Sequence, residues 1–144
     1  MGVLGTGCRG QWSWCGWGWR VVEMKITSYN VRGLGGFEKR EELRRFVQDK
    51  RPFVVCLQES MLSTVDVFTV KSLWGSDCCG YSYQASTGAS RGLITMWDPS
   101  VVEVWCSMSY RHVLIIKGKE ILTGQNFIVA IVYAPCDTTA KQDL

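Results

Sequence analysis

The chain has 144 residues, of which 47% are hydrophobic and 20% charged, and its net charge is +3. That length suits one domain with a core of ordinary size. So small a charge excludes a protein that announces nucleic-acid binding by charge alone. Seven cysteines, at 8, 15, 56, 78, 79, 106 and 136, are odd in number and irregularly spaced, with no Cys-x-x-Cys pair. Together with a single histidine, His112, they argue against a zinc module and fit a reducing compartment.

Residues 1–23 differ from the rest, holding four of the seven tryptophans and six of the fifteen glycines. They contain no continuous apolar stretch with a basic start and a small-residue cleavage site, and they are too glycine-rich to span a membrane. Met1-Gly2 with Thr6 fits the loose N-myristoylation pattern, and Cys8 could carry a second lipid, but so short a pattern arises often by chance. The expectation is a disordered leader, no membrane partner, and Met24 as the natural start; a native peptide spanning Trp19 to Lys25 would overturn the last point.

From Met24 to Glu59 the pattern reads strand, turn, helix, strand. The first strand alternates Met24, Ile26 and Ser28 with Lys25, Thr27 and Tyr29 and ends at a turn carrying Gly33, Gly35 and Gly36. Phe37, Leu43, Phe46 and Val47 share one face of a helix whose acids, Glu38, Glu41 and Glu42, come early and whose bases, Arg44, Arg45, Lys50 and Arg51, come late. That order complements the helix dipole, and Pro52 ends the run. The interleaved charges read as a solvated face. Val54-Val55-Cys56-Leu57 is apolar on both faces and is expected to be covered on both. Two strands joined by one helix are normally parallel neighbours, so Asn30 and Glu59 should lie side by side at the carboxyl edge of the sheet. Ligands gather at that edge, and a carboxylate beside an amide suits a hard cation. The bland alternative is a surface Glu and a turn-forming Asn.

Val65, Phe68 and Leu73 allow a short helix ending near Gly75, with Trp74 as a packing residue. Strands follow at Tyr81 to Gln84, Leu93 to Trp97, Val101 to Trp105, Val113 to Lys117 and Phe127 to Tyr133. Asp98-Pro99-Ser100 is a reverse turn, and the run reads as an antiparallel meander. His112 reads as a surface or turn residue.

Ser28-Tyr29-Asn30-Val31-Arg32-Gly33, then Leu57-Gln58-Glu59-Ser60, then Val132-Tyr133-Ala134-Pro135 resemble in order and spacing the opening motifs of the endonuclease/exonuclease/phosphatase superfamily. The wording is most similar to the endonuclease domain of plant LINE-type retrotransposons, over residues 24–144. The resemblance implies an α/β fold, the first half of a four-layered α/β sandwich, with a mixed β-sheet, outer helices, and a second sheet lying beyond Leu144. An inner apolar face would then lack its partner, which implies poor stability and self-association through the exposed face.

The chemistry implied is Mg²⁺-assisted phosphodiester hydrolysis on DNA, in the nucleus. Glu59 matches the carboxylate that binds the metal, Asn30 the amide beside it, and Tyr133 the phenol that hydrogen-bonds the scissile phosphate. The family's late Asp-His base and its Gly-Asp-Phe-Asn-like segment have no counterpart here; Asp137 and Asp143 lack the surrounding motif. Tyr29 stands where Trp is usual, Arg91 where a glycine is expected, and Ile131 where a polar residue is common. If that glycine is left-handed in the family, Arg91 strains the turn. The implied function is the N-terminal part of a Mg²⁺-dependent DNA endonuclease, inactive as written. The alternatives are a non-catalytic retrotransposon-derived remnant, or a superfamily phosphatase acting on inositol phosphates or lipids.

Overall fold

The computed structural model describes residues 24–87 and 91–134. The tryptophan-rich leader, its lipidation pattern, and the segment containing Asp137 and Asp143 lie outside the described residues. Within them the chain runs β1 (Ile26–Asn30), α1 (Phe37–Lys50), β2 (Val54–Gln58), α2 (Val67–Trp74), β3 (Gly80–Gln84), β4 (Leu93–Trp97), β5 (Val102–Tyr110), β6 (Val113–Glu120) and β7 (Asn126–Val132).

β1 and β2 are parallel, in register from Ile26 opposite Val54 to Asn30 opposite Gln58. α1 makes the crossover, beginning after Gly36 and stopping at Arg51, whose left-handed backbone lets its N–H bond the Val47 carbonyl. Leu43 and Val47 are the residues α1 buries, with Phe46 half-buried and its ring tilted against Tyr29 at 6.4 Å between centroids. Phe37 is not on that face: it is 79% exposed, because at 3.6 residues per turn it falls well away from Leu43 and Val47 around the helix. α2 is capped by Asp66, whose carboxylate accepts from the Thr69 N–H at 2.7 Å, and ends at left-handed Gly75. Trp74 is buried against the same core, while Phe68 is exposed.

The first sheet has the order β1-β2-β4-β3, mixed as expected. β2 is central, and its alternation divides the molecule. Val55 and Leu57 join Ile94 and Met96 under the two helices. Val54 and Cys56 join Leu93 on the opposite face.

The expected meander does not stay in one sheet. The Asp98–Ser100 turn, held by Asp98 Oδ1 accepting from the Ser100 N–H at 2.9 Å, sends the chain into a second antiparallel sheet, β5-β6-β7. Its inward residues, Val102, Leu114, Ile116, Ile131 and Tyr133, pack on Val54, Cys56 and Leu93. The face that the sequence left bare is therefore covered, and part of a second sheet is already present. The reason is the long alternation of β6, in which Leu114, Ile116, Gly118 and Glu120 are buried and the residues between them are not. Exposed apolar residues remain on the outer side of this sheet, where Tyr110, Ile128 and Val132 are 57%, 67% and 49% exposed.

Candidate functional site

The carboxyl ends of β1 and β2 meet in a rim built by main-chain bonds. The Val31 N–H donates to the Gln58 carbonyl at 2.9 Å, Gly33 to Glu59 at 2.7 Å, and Leu34 to Ser60 at 2.9 Å, so the parallel pairing continues past both strands. On the other side, Ser60 donates to the Gly92 carbonyl at 3.1 Å and Met61 to Arg91 at 2.8 Å, extending the β2–β4 ladder. The segment after β2 is thus held from both flanks. Among the described residues, four non-glycines have left-handed backbones, and three of them, Arg32, Glu59 and Met61, are in this rim. Such conformations cost energy and persist where surrounding bonds impose them, which is common at functional sites.

The two side chains that the sequence placed together are together. Asn30 Nδ2 donates to Glu59 Oε1 at 3.0 Å, and Asn30 Oδ1 accepts from the Arg32 N–H at 3.1 Å. The amide is thereby oriented with its nitrogen toward the carboxylate and its oxygen fixed on the main chain. The Glu59 side chain is only 13% exposed. Its second oxygen, Oε2, is taken by Arg91, whose Nη1 lies 3.2 Å away while the side chain remains half-exposed.

Arg91 does not strain its turn. It is absent from the left-handed residues, and the glycine-only conformation falls on Gly92, with φ of +79°, where a Cβ would collide with Ser60 Oγ.

Tyr133 reaches the same end of the molecule from the second sheet. The Gln58 Nε2 amide donates to the Val132 carbonyl at 3.3 Å, tying the end of β7 to the end of β2 one residue before Glu59. Tyr133 itself is 8% exposed and packs in the inter-sheet core beside Ile131, with its N–H donating to the His112 carbonyl at 2.8 Å.

His112 occupies a turn, as expected, but not the surface: it is 3% exposed. The Gln84 side-chain amide donates to the Arg111 carbonyl and draws the β5–β6 turn against the first sheet. Neither ring nitrogen of His112, nor Gln84 Oε1, has a hydrogen-bond partner. Cys56 in β2 and Cys79 just before β3 are inert, because burial pushes both thiols up to about 12.

What could hold a metal here is one oriented carboxylate. Among the described residues no group of three or more His, Cys, Asp or Glu side chains converges. A single carboxylate with waters is within the habit of Mg²⁺, so Glu59 fits in kind, once Oε2 is released from Arg91. The polar partners Arg91, Gln58 and Gln84 were not assigned roles from sequence; β2–β4 pairing, which sets Gln58 opposite Leu93, is the fact that brings Arg91 beside Glu59.

No family model and no curated protein matches the chain. Solved structures do. The catalytic domain of human Nocturnin with bound sulfate aligns over 80% of this chain and 52% of its own, with a TM-score of 0.62 and 14% identity. This chain thus shares part of that domain's fold. Humanized D. rerio TDP2 carrying 14 mutations aligns over 83% of this chain and 51% of its own, at a TM-score of 0.58 and 19% identity. The AP endonuclease LMAP of Leishmania major aligns over 76% and 39%, at 0.55 and 19%. The chain therefore spans about half the length, or less, of these structures.

Proposed function

We propose that this chain is the metal-binding part of a Mg²⁺-dependent, phosphodiester-hydrolysing DNA endonuclease of LINE retrotransposon type, and that it does not turn over by itself. The observation that carries the reading is the Asn30–Glu59 hydrogen bond at the carboxyl ends of parallel β1 and β2, inside a rim of left-handed residues. The sequence wording around these residues and around Tyr133 supports the retrotransposon branch, and one structure sharing the fold is an endonuclease by name.

Bound at Glu59, Mg²⁺ would supply Lewis-acid stabilisation of charge developing on a phosphate. Glu59 presents the oxygen ligand, and Asn30 fixes the carboxylate's orientation through Oε1. Tyr133, on the adjoining strand end, is the phenol assigned to the phosphate. Among the described residues none is placed to act as a general base at this rim: the single histidine is buried in the β5–β6 turn. Loss of a general base costs on the order of a hundredfold or more in rate.

The Arg91–Glu59 ion pair favours the non-catalytic remnant as the second reading. The two are separated by incubating the chain with Mg²⁺ and a panel of supercoiled plasmid, inositol phosphates and phospholipid headgroups, alongside calorimetric Mg²⁺ titration. The expected result is Mg²⁺ binding lost in Glu59→Gln, with no turnover of any substrate. Absence of binding would leave only the remnant. Turnover of an inositol phosphate or headgroup would instead establish the phosphatase.

A further inference from the structure

Resting on the reading of Glu59 as a cation site, we infer that Arg91 is an internal counter-cation that occupies Oε2 of Glu59 and competes with divalent metal for it. The site is latched by its own chain.

Three observations carry this. Glu59 Oε1 is engaged by Asn30 and Oε2 by Arg91, so both carboxylate oxygens already have partners. The Glu59 side chain is 13% exposed, and a carboxylate so far withdrawn from water requires a nearby positive charge or donors. Arg91 is anchored for the task by its main chain, whose carbonyl accepts from Met61 N–H at 2.8 Å, while Gly92 next to it accepts from Ser60. Its guanidinium thus approaches from the β4 side, opposite Asn30. Half of the Arg91 side chain remains in solvent, so the guanidinium can withdraw without opening a core.

A dication entering at Oε2 must displace this monocation or sit against it, and either lowers its affinity. The latch therefore sets the cation concentration at which the site loads.

The test titrates Mn²⁺, as a paramagnetic stand-in for Mg²⁺, into the full chain and follows free hydrated Mn²⁺ by electron paramagnetic resonance. Circular dichroism confirms that each variant is folded. Arg91→Gln removes the charge and should tighten Mn²⁺ binding by about tenfold or more, and adding Glu59→Gln should abolish the gain. Arg91→Lys keeps the charge and should stay near wild type, which provides a second variant of different packing. Equal affinity in wild type and Arg91→Gln, both dependent on Glu59, would overturn the latch and leave the cation site standing. No Glu59-dependent binding in any variant would remove the cation site and the latch with it.

Discussion

On the helix side of the first sheet, Leu43, Val47, Val70 and Leu73 meet Val55, Leu57, Ile94 and Met96, and no described side chain there leaves a buried polar atom without a partner. On the opposite side, Val54, Cys56 and Leu93 meet Leu114, Ile116, Ile131 and Tyr133, and the rim of that core buries the partnerless atoms of His112 and Gln84. The first core is enclosed between helices and sheet. The second is roofed by three strands whose outer side exposes Tyr110, Ile128 and Val132 beside the Lys119–Glu103 ion pair. The βαβ unit, which presents Asn30 and Glu59, is thus internally satisfied, whereas the contact between the two sheets, where Gln84 of β3 meets the His112 turn, is not.

The largest expected effect sharpens this contrast. Leu57→Ala should destabilise by about 4 kcal/mol, because helices on one side and strands on either flank prevent collapse around the cavity; Ile116→Ala, under a three-stranded roof, should cost about 2 kcal/mol. Urea unfolding of the two variants measures both, and equal losses would remove the distinction.

Replacing His112 by Leu should raise stability by about 1 kcal/mol, since a buried polar ring without partners carries a desolvation penalty that an apolar group does not. A lower urea midpoint for His112→Leu would show that the imidazole is satisfied in solution.

The thiols give a pH dependence that spans both cores, with Cys79 on the helix side and Cys56 on the sheet side. Each is raised from 9.0 to about 12, mainly by burial. The folded state therefore keeps its protons where the unfolded chain loses them. The stability they contribute is full below pH 9 and is lost as pH rises from 9 towards 12. Unfolding midpoints should fall across that window, and less steeply in Cys56→Ala. Exposed Cys78 should meanwhile react with iodoacetamide ahead of either.

The smallest effect on stability belongs to the outer side of the second sheet. Ile128→Lys, at a position 67% exposed, should change stability by no more than about 0.5 kcal/mol. It should nonetheless reduce concentration-dependent association in sedimentation velocity, because β7, NFIVAIV, is an edge strand without a charge or proline. Unchanged association would place the sticky surface elsewhere.

Much of the βαβ unit was legible in the sequence. Asn30 beside Glu59 followed from two short strands, one amphipathic helix and the rule that such strands are parallel. β4 was readable to the residue, and Trp74 as a packing residue. The division of the later strands into a second sheet was not, because alternation states which residues share a face and not which sheet they join. Phe37 misled because it is apolar: at 3.6 residues per turn it falls well away from the face that Leu43 and Val47 bury. Burial of His112 depends on Gln84 reaching the Arg111 carbonyl, a contact between residues far apart in the chain. The Arg91–Glu59 pair required knowing that β4 lies beside β2. At the site, then, local pattern brought the Glu59 carboxylate and the Asn30 amide together, and long-range pairing brought Arg91 to the same carboxylate.

The most direct test of the proposed cation site is a Mn²⁺ titration of the ¹⁵N-labelled chain followed by NMR line broadening. The Asn30 side-chain amide and the main-chain amides of Glu59 and Ser60 should broaden first, and Glu59→Gln should remove the effect. Broadening that instead spreads over exposed carboxylates such as Glu38, Glu42 and Asp77, and survives Glu59→Gln, would contradict it.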